Sequence, residues 1–254
     1  MAHPARIYDY WLGGKDNFAA DRIAAEEVLT VMPAMAQVAR SVRMFLAAVV
    51  HYLAADVGIR QFLDIGTGLP TVNNTHQVAQ RAAPGARIVY ADNDPIVLLH
   101  AGALLTCSPP GRCSYIEADV RDPDRILAEA AATLDLTEPV AVLMLGLLHF
   151  IPDVDAPSAL TRYYLDALAP GSYLAVSHAS SDIEAEPQEA AVKRYNSHSA
   201  TQIVLRSRAE VARFFDGLDL VPPGITPLGQ WAPGAVLPGS PGLPTYTALG
   251  RKPR

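Results

Sequence analysis

The sequence is poor in cysteine, in charge and in long apolar runs, and each shortage excludes something. Only Cys107 and Cys113 are present, with neither C-x-x-C nor metal-ligand spacing, so they read as two free thiols without a disulfide framework or zinc site. No His, Cys, Asp and Glu cluster with metal-ligand spacing is visible, which argues against metal-assisted chemistry. No uncharged apolar run is long enough to cross a bilayer, and the N-terminus lacks the apolar core of a signal peptide. A soluble, cytoplasmic protein without a membrane partner is therefore expected. Lys and Arg total 20 against 26 Asp and Glu, a formal net charge of −6, and the basic residues form no run. That balance argues against sequence-independent nucleic-acid binding. The charged fraction is only 18%, half of the 254 residues are hydrophobic, and a single decorated α/β domain is the expectation.

What is present centres on Gln61–Thr71 (QFLDIGTGLPT). Phe62, Leu63 and Ile65 form the short apolar run of a strand buried on both faces, and it stops at Gly66-Thr67-Gly68. Two glycines one residue apart let the backbone turn sharply and approach a ligand closely. A buried strand, a Gly-rich turn and then a helix open a nucleotide-binding α/β unit. The dinucleotide fingerprint would need glycine where Thr71 stands, and Asp64 before the turn would repel a pyrophosphate. It suits a ligand that brings positive charge and no phosphate, and S-adenosylmethionine has an amino group and a sulfonium.

The acids recur at strand ends. Arg87–Ala91 reads as the second strand and ends in Asp92-Asn93-Asp94-Pro95, where a carboxylate accepts both ribose hydroxyl protons. A third strand over 113–118 ends at Asp119-Val120, an acid for an exocyclic amine beside an apolar neighbour for the ring. Val140–Leu145 is the most hydrophobic strand and belongs near the sheet centre, and it leaves through Gly146 and His149. Ser172–Ser177 is a fifth strand, followed by His178. Helices are expected over roughly 19–32, 34–55, 74–83, 95–105, 124–134, 156–168 and 207–216. Asn74 with Gln77 and Ser207 with Glu210 supply capping boxes. Asp16 or Asn17 is the expected cap of the first helix. The strands 218–225 and 245–250 close the chain, separated by a Pro/Gly-rich linker over 227–244. The polar stretch 179–206 is longer than a normal connection and reads as a substrate-side insertion.

The predicted fold is α/β: a Rossmann-like, seven-stranded, mostly parallel sheet with an antiparallel last strand and helices on both faces. Residues 1–55 form a helical N-terminal extension or lid, dense in aromatics near its start (Tyr8, Tyr10, Trp11 and Phe18). Residues 56–254 form the core.

This pattern resembles the class I S-adenosylmethionine-dependent methyltransferases. Their acid-x-G-x-G-x-G motif appears as Asp64-Ile65-Gly66-Thr67-Gly68-Leu69-Pro70, with Pro70 in place of the third glycine. It is more closely similar to a bacterial subgroup long described as a methyltransferase family of unknown function. The blocks at 6–18 (RIYDYWLGGKDNF), 62–71, 89–98, 147–153 and 171–178 carry that similarity. The resemblance implies the cofactor and a map of its site. Asp64, Gly66, Thr67 and Gly68 hold the methionine part, Asp92 the ribose, and Asn93, Asp119 and Val120 the adenine. Leu145 and Gly146 face the sulfonium, and Tyr10 with its aromatic neighbours closes over it. His149 and His178 are the candidate general bases. The acceptor is expected to be a small molecule, and the oligomeric state stays open, a homodimer among the options. Two other readings remain: a protein that binds S-adenosylmethionine or its product without methylating, and an NAD-dependent oxidoreductase, disfavoured by Thr71 and Asp64.

Overall fold

The computed structural model describes residues 2–104, 107, 109–237 and 242–253. Three helices come first: α1 (Pro4–Trp11), α2 (Ala19–Val31) and α3 (Met35–Tyr52), the last running on as a wider turn to Val57. An alternation follows: β1 (Gln61–Ile65), α4 (Thr75–Ala82), β2 (Arg87–Asp92), α5 (Pro95–Leu104), β3 (Arg112–Glu117), α6 (Pro123–Ala130), β4 (Ala141–Leu145), α7 (Pro157–Asp166) and β5 (Tyr173–Ala179). Then come α8 (Ala185–His198), α9 (Arg208–Ala212), β6 (Asp219–Leu220), β7 (Thr226–Leu228), β8 (Trp231–Ala232), β9 (Ala235–Val236) and β10 (Leu243–Arg251).

The sheet order is β3-β2-β1-β4-β5-β10-β6, with β7 also paired to β10. The first five strands are parallel and β10 is antiparallel to β5. Successive strand residues feed opposite cores, as the two-residue period requires. Phe62, Ile88, Tyr90 and Leu143 join α2, α3 and α4 on one face. Leu63, Val89, Val142 and Met144 join α6, α7 and α9 on the other. With both faces covered, polar chemistry is left to the strand ends. The order reverses between β1 and β4, where open α/β sheets bind ligands at the carboxyl ends.

Several expectations are corrected. The sheet follows the expected seven-strand path, and a further short strand, β7, pairs with β10; Pro222-Pro223 cannot donate to a ladder, so the expected 218–225 strand shortens to β6 and β7 begins beyond it. The 227–244 linker contains the β8–β9 hairpin, whose Trp231 packs edge-on against Phe45 of α3 at 5.2 Å, and its residues 238–241 lie outside the described residues. Cys107 and Cys113 are joined as a disulfide, not free; the spacing of two cysteines carries no sign of a loop that folds back. The helix expected over 19–32, which is α2, is capped neither by Asp16 nor by Asn17: Phe18 holds the cap position and Asp21 accepts from its backbone N–H at 2.9 Å. The aromatic N-terminal stretch is itself helical. It turns at Gly14, where a Cβ would overlap the buried Asp9 carboxylate that accepts from Asp16 N and Asn17 Nδ2. Both expected capping boxes form, at Asn74–Gln77 and Ser207–Glu210.

By length and composition, the helix Met35–Val57 is apolar enough to cross a membrane, yet it carries Arg40 and Arg43 and buries Val42, Phe45, Leu46 and Val49 in the core. The stretch 179–206 forms α8, which packs on α2, and then a strap back to β5. Arg206 locks that strap. Its buried guanidinium donates to Leu148 O (3.0 Å), Ile151 O (2.8 Å), Asp153 Oδ1 and His178 Nε2 (3.0 Å). Arg206→Ala strands these acceptors and is expected to cost about 3 kcal/mol or more of unfolding free energy, read by urea denaturation. A loss below about 1 kcal/mol would show that the strap is held by something else.

Candidate functional site

A cavity of about 280 Å³ lies over the carboxyl ends of β1, β2, β4 and β5, beneath α1 and against α2, α3 and α8. The turn after β1 forms its floor. Gly66 and Gly68 adopt φ of +73° and +65°, a region that side-chain-bearing residues rarely enter. A Cβ on Gly66 would press to 2.8 Å from Leu147, and one on Gly68 would project into open space. Gly66 N donates to Ala91 O at 2.8 Å, and Thr67 Oγ1 donates to Asp64 O at 3.2 Å.

Asp92 joins this turn to the next strand end. Its carboxylate accepts from Gly68 N at 2.9 Å and Asp94 N at 3.0 Å, and burial raises its pKa. Asp94 then holds the N-terminal helix: His3 Nδ1 is 3.0 Å and Arg6 NH1 is 3.2 Å from its carboxylate. Arg6 and His3 N also bond Asp21 on α2, so α1 is tied down across the cavity. The sequence offers Asp94 as a loop acid beside Asp92; its N-terminal partners, some ninety residues away, gave no local signal.

Asp64 is buried and accepts from Thr75 Oγ1 at 2.6 Å. Burial pushes its pKa up to about 6, against the opposing pull of Thr75 and Arg43. A ligand ammonium beside it would restore the charged form. Arg43, which sequence reasoning missed inside a helical stripe, lines the same cavity. One guanidinium nitrogen donates to Val72 O and Asn73 O, while its buried Nε has no partner. An acid needing a cation and an arginine needing an acceptor fit the two charges of an amino-acid end.

On the adenine side, Asn93 and Val120 line the cavity, and Asp119 is more heavily engaged than the sequence suggested. Its oxygens accept from Arg121 N, Nε and NH2 and from Asn93 Nδ2, and these bonds, Arg121 foremost, hold its pKa down to about 2. Leu145 and Gly146 form the wall at the end of β4.

The three N-terminal aromatics and the two histidines divide. Tyr8 and Trp11 line the cavity, with Tyr8 Oη donating to Ala39 O at 2.8 Å. Tyr10, the residue expected to close over the site, turns outward and bonds Glu26 Oε1 at 2.7 Å. The helical period places it one step away from the cavity face. His178, expected as a candidate base, is absent from the lining: Nδ1 bonds Ala179 O at 2.8 Å, and Nε2 must accept from Arg206. Burial and Arg206 hold its pKa down to about 3, so it is a neutral, fully used core group. His149 lines the cavity with Nδ1 unpartnered, and burial together with His178 and Arg206 depresses its pKa well below the ordinary 6.5. Among the described residues, no group of three or more His, Cys, Asp or Glu is placed to hold a metal ion.

Two measurements test this geometry with S-adenosylhomocysteine, which keeps the amino-acid end and ribose. Asp92→Ala is expected to weaken calorimetric affinity about tenfold or more while the circular dichroism stays unchanged. Because the folded pKa of Asp64 is above its ordinary 3.8, the free protein is fully free of this penalty below that value. It loses stability as pH rises through about 6. Ligand affinity is therefore expected to strengthen as pH rises through about 6, and Asp64→Asn to flatten that dependence.

The comparisons with known proteins agree with this geometry. A search of curated proteins finds no match. A DUF574 family protein from Streptomyces avermitilis is 42% identical over 99% of this chain and 98% of its own, with a TM-score of 0.94. A candidate methyltransferase from Thermobifida fusca is 37% identical over 100% and 96%, with a TM-score of 0.90. Human N-acetylserotonin methyltransferase, solved in complex with S-adenosylmethionine, shares the fold alone: 15% identity over 97% of this chain and 62% of its own, TM-score 0.53. A family model described as S-adenosyl methyltransferase matches residues 1–253. With that match over nearly the whole chain, the protein belongs to the S-adenosyl methyltransferase family and is an S-adenosylmethionine-dependent methyltransferase.

Proposed function

We propose that the enzyme methylates a small molecule held inside the cavity, with His149 as the proton acceptor. The observation that carries this reading is the continuity of one partly covered cavity. It runs from the Gly66–Gly68 turn and Asp92 to a chamber between α2, α3 and α8, under the tied-down α1. A folded macromolecule could not enter a space of about 280 Å³ without displacing that cover.

When bound, S-adenosylmethionine supplies an electrophilic methyl group on a sulfonium. The chain's own residues do the rest. Asp92 accepts from the ribose hydroxyls, Asp64 pairs with the amino group, and Arg43 Nε receives the carboxylate. Asn93 and Val120 flank the adenine, and Gly146 leaves space beside the reacting centre. Tyr8 and Trp11 exclude water from above. Positioning of this kind supplies much of the rate of an in-line displacement. His149 is uncharged at neutral pH and takes the proton from the acceptor, although burial and the neighbouring His178 and Arg206 make it a weaker base than a free imidazole.

The experiment supplies methyl-labelled cofactor and a cell extract, then separates the products by ultrafiltration. Label is expected in the small-molecule fraction; label confined to protein or nucleic acid would overturn the reading. With an acceptor in hand, His149→Phe is expected to lower kcat about a hundredfold with the KM for cofactor little changed. The acid limb of the wild-type kcat profile is expected below the ordinary histidine value of 6.5.

A further inference from the structure

The chamber beyond Gly146 has a chemistry of its own. Its walls are Val28 on α2 and Met32 just past its end, Met35 and Val38 on α3, and Ala191 and Val192 on α8. The charged groups of the cavity lie elsewhere. Asp64, Asp92, Asp119, Arg43 and Arg121 border the cofactor end, and His3 sits with Asp94. The residues that α2, α8, the strap and β10 contribute to the lining are all uncharged. An ionic acceptor would lose its hydration there and gain no counter-charge.

Tyr195 on α8 puts a buried hydroxyl into that wall, and two further polar atoms stand where it meets the strand ends. His149 Nδ1 and Ser177 Oγ both belong to lining residues, and neither has a hydrogen-bond partner. Both residues lie beside Gly146. Ser177 pairs in register with Leu145, its carbonyl accepts from Gly146 N at 3.1 Å, and His149 Cε1 lies 3.8 Å from the position of a Cβ on Gly146. Buried polar groups left without partners are costly, so a ligand that supplies partners is favoured there. A hydroxyl both donates and accepts, and it therefore complements a serine O–H together with either tautomer of the imidazole.

We infer that the acceptor is an uncharged, largely apolar molecule that presents a hydroxyl group to His149 and Ser177, and that the enzyme is an O-methyltransferase. The inference rests on the methyl-transfer reading above. The acceptor's O–H bond breaks and its proton passes to His149. A new O–CH3 bond forms as the S–CH3 bond breaks, and the electron pair of that bond stays on sulfur. The products are a methyl ether, S-adenosylhomocysteine and one proton. Ser177 Oγ positions the oxygen by hydrogen bonding.

The test uses the full chain loaded with S-adenosylhomocysteine and four probes of one shape, titrated calorimetrically: para-tert-butylphenol, para-tert-butylbenzoate, para-tert-butylbenzylamine and para-tert-butyltoluene. The phenol is expected to bind about tenfold or more tighter than the anion, the cation and the hydrocarbon. Ser177→Ala and His149→Phe are each expected to bring the phenol to within about threefold of the hydrocarbon, with affinity for S-adenosylhomocysteine retained. A charged probe binding as tightly as the phenol, or a hydrocarbon matching it, would overturn the inference even if neither variant folds. Absence of S-adenosylhomocysteine binding would remove the methyl-transfer reading and the inference with it. Its binding without a preference for the phenol overturns the inference alone.

Discussion

One carboxylate holds the site together. Asp92 accepts from Gly68 N and Asp94 N, so the Gly-rich turn after β1 and the loop after β2 are fixed to each other. Asp94, oriented by that bond, takes His3 and Arg6 and brings α1 across the cavity. The floor and the cover thus meet at two acids two residues apart. Burial works against the charge on Asp92, and the two backbone donors offset part of that cost. Its oxygens keep lone pairs beyond those two bonds, so one group both organises the backbone and can accept ribose hydroxyls.

A second constraint separates two histidines that look alike along the chain. His149 lies four residues past β4, and His178 is the next-to-last residue of β5. Arg206 crosses from the strap to the loop after β4 and to the end of β5 and takes the last lone pair of His178, which removes that ring from the chemistry. The same arginine holds Leu148 O and Ile151 O on either side of His149, and Val204 N donates to His149 O at 2.8 Å. His149 is therefore held at the cavity wall by its backbone while Nδ1 is left without a partner.

The parallel core was legible because its signals are local. Apolar runs bounded by Gly, Pro and acids gave β1 to β5, and helix capping at Asn74 and Ser207 fell where the side chains required. That Asp64, Gly66, Gly68 and Asp92 line one cavity was legible for the same reason: they lie at strand ends, and strand ends converge in any sheet of this order. The miss at 218–225 came from reading hydrophobicity past two prolines. The miss at Tyr10 came from reading aromatic density without helical phase, which sends Tyr8 and Trp11 inward and Tyr10 out.

The sequence by itself determined the alternation of strands and helices, the Gly-rich turn and the acids that follow β1, β2 and β3. These depend on backbone sterics and on apolar periodicity within a few residues. Only the tertiary structure decided which histidine faces the cavity, what Asp94 and Asp119 bind, and that Arg43 lines the cavity with an unpartnered nitrogen. Those outcomes depend on hydrogen bonds between groups that are distant in the chain or buried among other elements. A side chain's free valence exists only once every neighbour has taken its share.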